Sequence, residues 1–221
     1  MKRLFEDAAM YAEGRSRPFF RGKIHLACCL TIFPVFVYFY WKATENNNLA
    51  RIVGLTNLLI IYVAHCISAY YHMIDMPLEK EILLQKMDII GANWYVGSSL
   101  YPMALLSFPP ISGIFLALLA TAITSYNSYC IWTSTYSVFQ ILFIIGLQIP
   151  FFYYIYKHLN TFEITSNFLG LATLGIASIF FIHDICPFDK TVFSHFEIYH
   201  TLSVVCILTT CFMNYSIVSR A

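Results

Sequence analysis

Charge is what this sequence has least of. Only 11% of its 221 residues are charged, where a soluble domain carries about a quarter. That shortage excludes an ordinary water-facing globule, because too few polar side chains remain to cover one. The 13 Lys and Arg stand against 12 Asp and Glu. They form no basic stripe of the kind that tracks a phosphate backbone, so nucleic acid is not an expected partner. Cys28, Cys29, Cys66, Cys130, Cys186, Cys206 and Cys211 make an odd number with no CxxC pair. Most lie in apolar runs and read as small packing residues, not as a disulfide framework or a thiolate metal site. No small-x-small cleavage pattern follows the first apolar run closely, so that run is expected to act as the insertion signal and to stay. There is no obvious repeat and no low-complexity tract beyond Asn46 to Asn48.

What fills the chain instead is apolar: 59% hydrophobic and 18% aromatic residues, with a mean hydropathy of +0.67. Lipid is then the expected solvent and membrane lipid the expected partner. A bilayer admits only helices or closed barrels, because every backbone group must find an internal partner. Barrel strands would show short alternating segments. The apolar runs here are about twenty residues long, enough for a helix to cross roughly 30 Å of hydrocarbon. The expected fold is an all-α, multi-pass integral membrane protein, a bundle of seven transmembrane helices. A polar, basic tail occupies residues 1–23, in which 5–13 could form a short amphipathic helix. One membrane domain follows over 24–221, with spans near 24–41, 50–71, 87–107, 111–131, 136–156, 164–183 and 197–217. Pro109 and Pro110 mark a tight turn. Of the Lys and Arg, only Lys42, Arg51, Lys157 and Arg220 fall on the side opposite the N-tail. The positive-inside rule then puts the N-terminus in the cytoplasm and the C-terminus outside.

Ionisable groups within a bilayer are costly, so each is a candidate for function. They gather at one end of the expected bundle. Span two ends with His65, Ser68 and His72 on one helical face, and Asp75 lies just beyond. Span three begins with Asp88. Span six ends at His183 and Asp184. Span seven begins with His195, Glu197 and His200. One reading makes these interfacial residues near water, with Asp88 capping a helix start. The other makes them a metal site, since imidazoles beside a carboxylate suit Zn2+ and a catalytic zinc keeps three protein ligands and one open position. Tyr70, Tyr71 and Trp94 read either as lining of an acyl path or as an aromatic belt.

Three short motifs sit in order at these span ends. They are Ser68-Ala-Tyr-Tyr-His72, then Asp88 followed by Gly97-Ser98-Ser99-Leu100-Tyr101-Pro102, and Glu197-Ile198-Tyr199-His200. Together with the seven-span layout they resemble the haemolysin III / progestin-and-adipoQ receptor family, within a superfamily that includes alkaline ceramidases. The Gly of the middle motif sits one place early. The resemblance implies a zinc ion held by one His of span two and two of span seven, here His72, His200 and position 196. Asp88 would orient the zinc-bound water or act as general base, supported by Ser68. Members of the family are described as lipid amide hydrolases of ceramidase type, as receptors, or as haemolysins. Position 196 departs from the pattern, because it is Phe196. His195 lies five residues before His200, about 140° around an ideal helix. Glu197 lies about 60° from His200 and offers a carboxylate oxygen. Either could serve as third ligand, Asp88 could bind directly to give a set of two His and one carboxylate, or zinc could be lost. The expected function is a modified zinc-dependent hydrolase of a membrane lipid amide. The alternative is a non-enzymatic receptor or lipid-binding protein, and a pore-forming cytolysin ranks third.

Overall fold

The computed structural model describes residues 17–135, 157–183, 185–189 and 192–221. Every element among them is helical. In chain order we number α1 (Lys23–Ala43), α2 (Asn48–Met73), α3 (Leu78–Ser98), α4 (Leu100–Ser107), α5 (Pro110–Trp132), α6 (Thr161–Ile182) and α7 (His195–Arg220). Five of these (α1, α2, α5, α6 and α7) are long and apolar enough to cross a membrane. They coincide with five of the expected spans. The expected span at 136–156 and the amphipathic segment at 5–13 lie outside the described residues.

The helix ends follow from local chemistry. Asn47 caps α2 by accepting the Ala50 N–H at 3.0 Å, and Asn160 with Glu163 closes a capping box at the start of α6. α5 starts on the Pro109-Pro110 pair, since a proline at the first helical position gives up an N–H that has no partner anyway. α1 contains a π-helical turn at Cys28–Ile32, where Phe33 N–H reaches back to the Cys28 carbonyl. That turn precedes Pro34, whose ring in a regular helix would clash with the carbonyl four residues earlier.

The expected span 87–107 is the one the structure redraws. α3 begins at Leu78, and the chain breaks at Ser99 before the short α4. Pro102 has no N–H to return to the Ser98 carbonyl, which is where the helix interrupts. Asp88 is therefore eleven residues into α3, not at its first turn, and the capping role for it is overturned.

α7 packs most extensively on α6, and α2 on α3. A Cβ on Gly91 would stand 3.2 Å from Ala64 Cα, so α2 and α3 meet backbone to backbone there. That approach holds Asp88, one turn earlier, against α2. The apolar core of α1, α2 and α7 includes Phe33, Phe36, Leu58, Ile61, Ile207 and Cys211. Within it, Tyr40 donates to the Cys211 carbonyl at 2.7 Å. Asn214 of α7 donates to Asn57 of α2 at 3.1 Å, and Asn57 donates to Ser98 at 3.2 Å. At the bundle end that carries the C-terminus, Arg220 holds the fully buried Glu163 through Nε at 2.8 Å and Nη2 at 3.1 Å.

Candidate functional site

At the other end, three helices bring imidazoles together. His72 comes from the last turn of α2, His200 from the second turn of α7 and His25 from the first turn of α1. The His72 and His200 rings lie 4.6 Å apart between centroids, His25 and His200 4.7 Å, and His25 and His72 6.3 Å. His25 Nε2 and His200 Nδ1 share a hydrogen bond at 2.9 Å. From α3, Asp88 Oδ2 stands 3.5 Å from His72 Nε2. His65, two turns deeper on α2, packs edge-on to His25 with centroids 5.1 Å apart. Its Nδ1 donates to the Ile61 carbonyl at 2.9 Å. Ser68 is buried one turn before His72.

Residues 17–22 do not trail away as a solvated tail. They form a strap across this cluster. Gly22 has φ +76°, a left-handed conformation that glycine adopts without strain. A Cβ there would meet Met73 Cγ at 2.5 Å, the Ala69 carbonyl oxygen at 3.0 Å and His72 Cβ at 3.1 Å. Phe20 N–H donates to the Val192 carbonyl at 3.3 Å. Arg17 donates from Nε to Asp75 at 2.8 Å and pairs with the buried Glu81 at the start of α3. Burial opposes the Arg17 charge, but the hydrogen bonds to Asp75 and Glu81 outweigh it and raise its pKa above the ordinary guanidinium value. Arg21 is only 3% exposed. Its Nε donates to His72 Nδ1 at 3.2 Å, and its guanidinium lies 4.4 Å over the Phe196 ring, a favourable cation–π placement.

The profile of the haemolysin-III-related family matches residues 14–211. The chain belongs to that family. It is an integral, multi-pass membrane protein. No curated protein and no solved structure matches it.

In this haemolysin-III-related chain, the residues singled out from sequence divide. His72, His200, Asp88 and Ser68 come to one place, joined by His25. Glu197 is turned to its own helix start, where it accepts the Ser194 N–H at 2.7 Å and pairs with the Ser194 hydroxyl in a capping box. His195 is the first residue of α7, and its ring tilts on Phe196 with centroids 4.4 Å apart. His183 is exposed at the end of α6, and Asp184 lies outside the described residues. Tyr71 is buried, with Arg17 5.8 Å from its ring centroid, while Tyr70 is exposed. Among the described residues, no group of three or more His, Cys, Asp or Glu side chains is arranged to hold a metal ion as the side chains stand. The seven cysteines are free thiols, and Cys29 faces Cys66 with sulfurs 3.6 Å apart.

The sequence reading missed His25, Arg17 and Arg21 as site residues. His25 carried a usable signal, since it is an ionisable residue inside an apolar run. The two arginines looked like the ordinary basic flank of a first span.

Proposed function

We propose that this haemolysin-III-related protein is a non-enzymatic membrane protein that binds a lipid or other apolar ligand among its helices. In this reading the His–Asp–Arg cluster is structural: it ties the strap, α1, α2, α3 and α7 together at one end of the bundle. Apolar helices that would contact lipid support the lipid part of this reading, and the pair formed by Phe196 and Arg21 supports the non-enzymatic part. Where the family resemblance asks for a third imidazole, a phenyl ring carries a buried guanidinium 4.4 Å away. A fixed positive charge at that place opposes a dication. Asp88 offsets part of that repulsion.

A second reading is zinc-dependent hydrolysis of a membrane lipid amide, with His72 and His200 as ligands, His195 or Glu197 as third, and Asp88 and Ser68 beside them. One observation favours it: His72 Nε2 is buried without a hydrogen-bond partner and faces Asp88 at 3.5 Å.

One preparation tests both. The protein is purified in mild detergent from zinc-replete cells. Zinc per chain, chelator-sensitive cleavage of a fluorescent ceramide analogue, and lipid retained in native mass spectrometry are then measured. We expect background zinc, no chelator-sensitive cleavage and retained lipid. Stoichiometric zinc that disappears with His72→Ala or His200→Ala would establish the hydrolase instead. A protein that retains no lipid and takes up none from vesicles would sink the lipid-binding reading.

A further inference from the structure

A neutral imidazole has one N–H and one lone pair, and its neighbours decide which nitrogen carries which. On α2 the two histidines are set in opposite senses. His65 Nδ1 meets the Ile61 carbonyl oxygen, a pure acceptor, so its proton is on Nδ1 and Nε2 presents a lone pair. His72 Nδ1 meets Arg21 Nε at 3.2 Å. A guanidinium has donors only and stays charged. His72 Nδ1 must therefore present its lone pair, and the ring must be neutral for that bond to form. Its proton is then on Nε2, the nitrogen that faces Asp88 Oδ2. A nitrogen carrying a proton cannot ligate a metal, whereas ligating histidines usually turn their other N–H to a carboxylate or carbonyl. Arg21 imposes the opposite arrangement.

The surrounding rings are otherwise close to a ligand set. Three imidazoles on one tetrahedral zinc, with Zn–N about 2.0–2.1 Å, have their donor nitrogens about 3.4 Å apart and their centroids about 5 Å apart. Here the centroid separations are 4.6, 4.7 and 6.3 Å. The facing nitrogens of His25 and His200 are 2.9 Å apart and share a hydrogen bond, whose proton a bound metal would displace. Asp88 supplies an oxygen on the same side of His72.

We propose that Arg21 is a tautomer lock on a latent divalent-metal site, in which His25 from α1 takes the place of the imidazole absent at Phe196 and joins His72, His200 and Asp88. Arg21 acts through His72 and is a positioning residue. The proposal rests on the reading that the wild-type protein carries no metal at this site.

The test uses Arg21→Gln, because the glutamine amide oxygen is attached to Cδ as the arginine Nε is, and so offers an acceptor where a donor stood. Nitrogen NMR of the full chain with labelled histidine, in nanodiscs, reads the tautomer; the His72 signal is assigned by its loss in His72→Ala. We expect the Nε2–H tautomer in wild type and Arg21→Lys, and the Nδ1–H tautomer in Arg21→Gln. Titration with Co2+, read by its visible d–d absorption, and with Zn2+ then measures binding. Arg21→Gln removes the positive charge as well as the donor, so it is expected to gain affinity by at least the roughly 10–100-fold by which such supporting partners shift metal sites, and the tautomer signal separates the two effects. Adding His25→Ala should abolish the gain, and adding His195→Ala should not. An Nδ1–H tautomer in wild type overturns the lock, and that measurement decides the matter even if Arg21→Gln does not fold. A folded Arg21→Gln with the flipped tautomer and no metal overturns the latent site. A gain that survives His25→Ala overturns the part given to His25. Stoichiometric zinc in wild type sinks the non-enzymatic reading as well, so the two failures are told apart.

Discussion

Replacing Gly22 by alanine should loosen the strap over the histidine cluster by an amount that can be estimated. Two costs act together. At φ +76° an added Cβ crowds the backbone, and a left-handed conformation costs a non-glycine residue roughly 1–2 kcal/mol. The same Cβ would stand 2.5 Å from Met73 Cγ, 3.0 Å from the Ala69 carbonyl oxygen and 3.1 Å from His72 Cβ. Met73 is exposed, and its flexible side chain can turn away. The Ala69 carbonyl and His72 Cβ belong to α2 and cannot. Overpacking of this kind costs about 1–3 kcal/mol. Together the change is about 2–5 kcal/mol, or a fall in melting temperature of roughly 4–20 °C for a chain of this size. Thermal unfolding in one detergent, followed by tryptophan fluorescence, measures it. Gly22→Ala with Met73→Ala should recover only the part due to Met73. An unchanged melting temperature for Gly22→Ala, or full recovery in the double variant, would refute the assignment of the cost to backbone conformation and to α2.

Two further perturbations probe the rest of the bundle. Arg220→Ala leaves the Glu163 carboxylate, at 0% exposure, without its cation and should destabilise the α6–α7 pair by about 1–3 kcal/mol; Glu163→Gln in the same background should recover part of that in thermal unfolding, and no recovery would mean the charge was not the problem. Asn57 and Asn214 share a buried hydrogen bond of 3.1 Å, so the costs of the two single leucine replacements should add up to more than the cost of both together. A double-mutant cycle should return a coupling of about 0.6 kcal/mol, and not more than about 1.7, the range for side-chain pairs in membrane helices.

How far the sequence leads is set by the kind of interaction involved. Apolar runs of span length survive any tertiary detail, because lipid leaves the backbone no alternative to a helix; α1, α2, α5, α6 and α7 lie where hydropathy puts them. α3 is harder to bound, since Glu79, Lys80, Glu81 and Lys86 make its first turns look like a loop. They are helical nonetheless, and Glu81 is buried because Arg17, 64 residues away, meets it there. Such a partner is not visible in local composition. The meeting of His72, Asp88 and His200 was legible, because it needs only short connections and span ends at one level. Glu197 was legible in a second role as well: Ser194-His195-Phe196-Glu197 is a capping-box pattern, and one oxygen of its carboxylate goes to Ser194. Arg21 shows the limit most clearly. Its type and position say only that a basic residue precedes a span. What it does depends on one hydrogen bond to a ring 51 residues further on. That bond decides which His72 nitrogen carries the proton, so a motif can keep its histidine while its environment withholds the lone pair that metal binding would require.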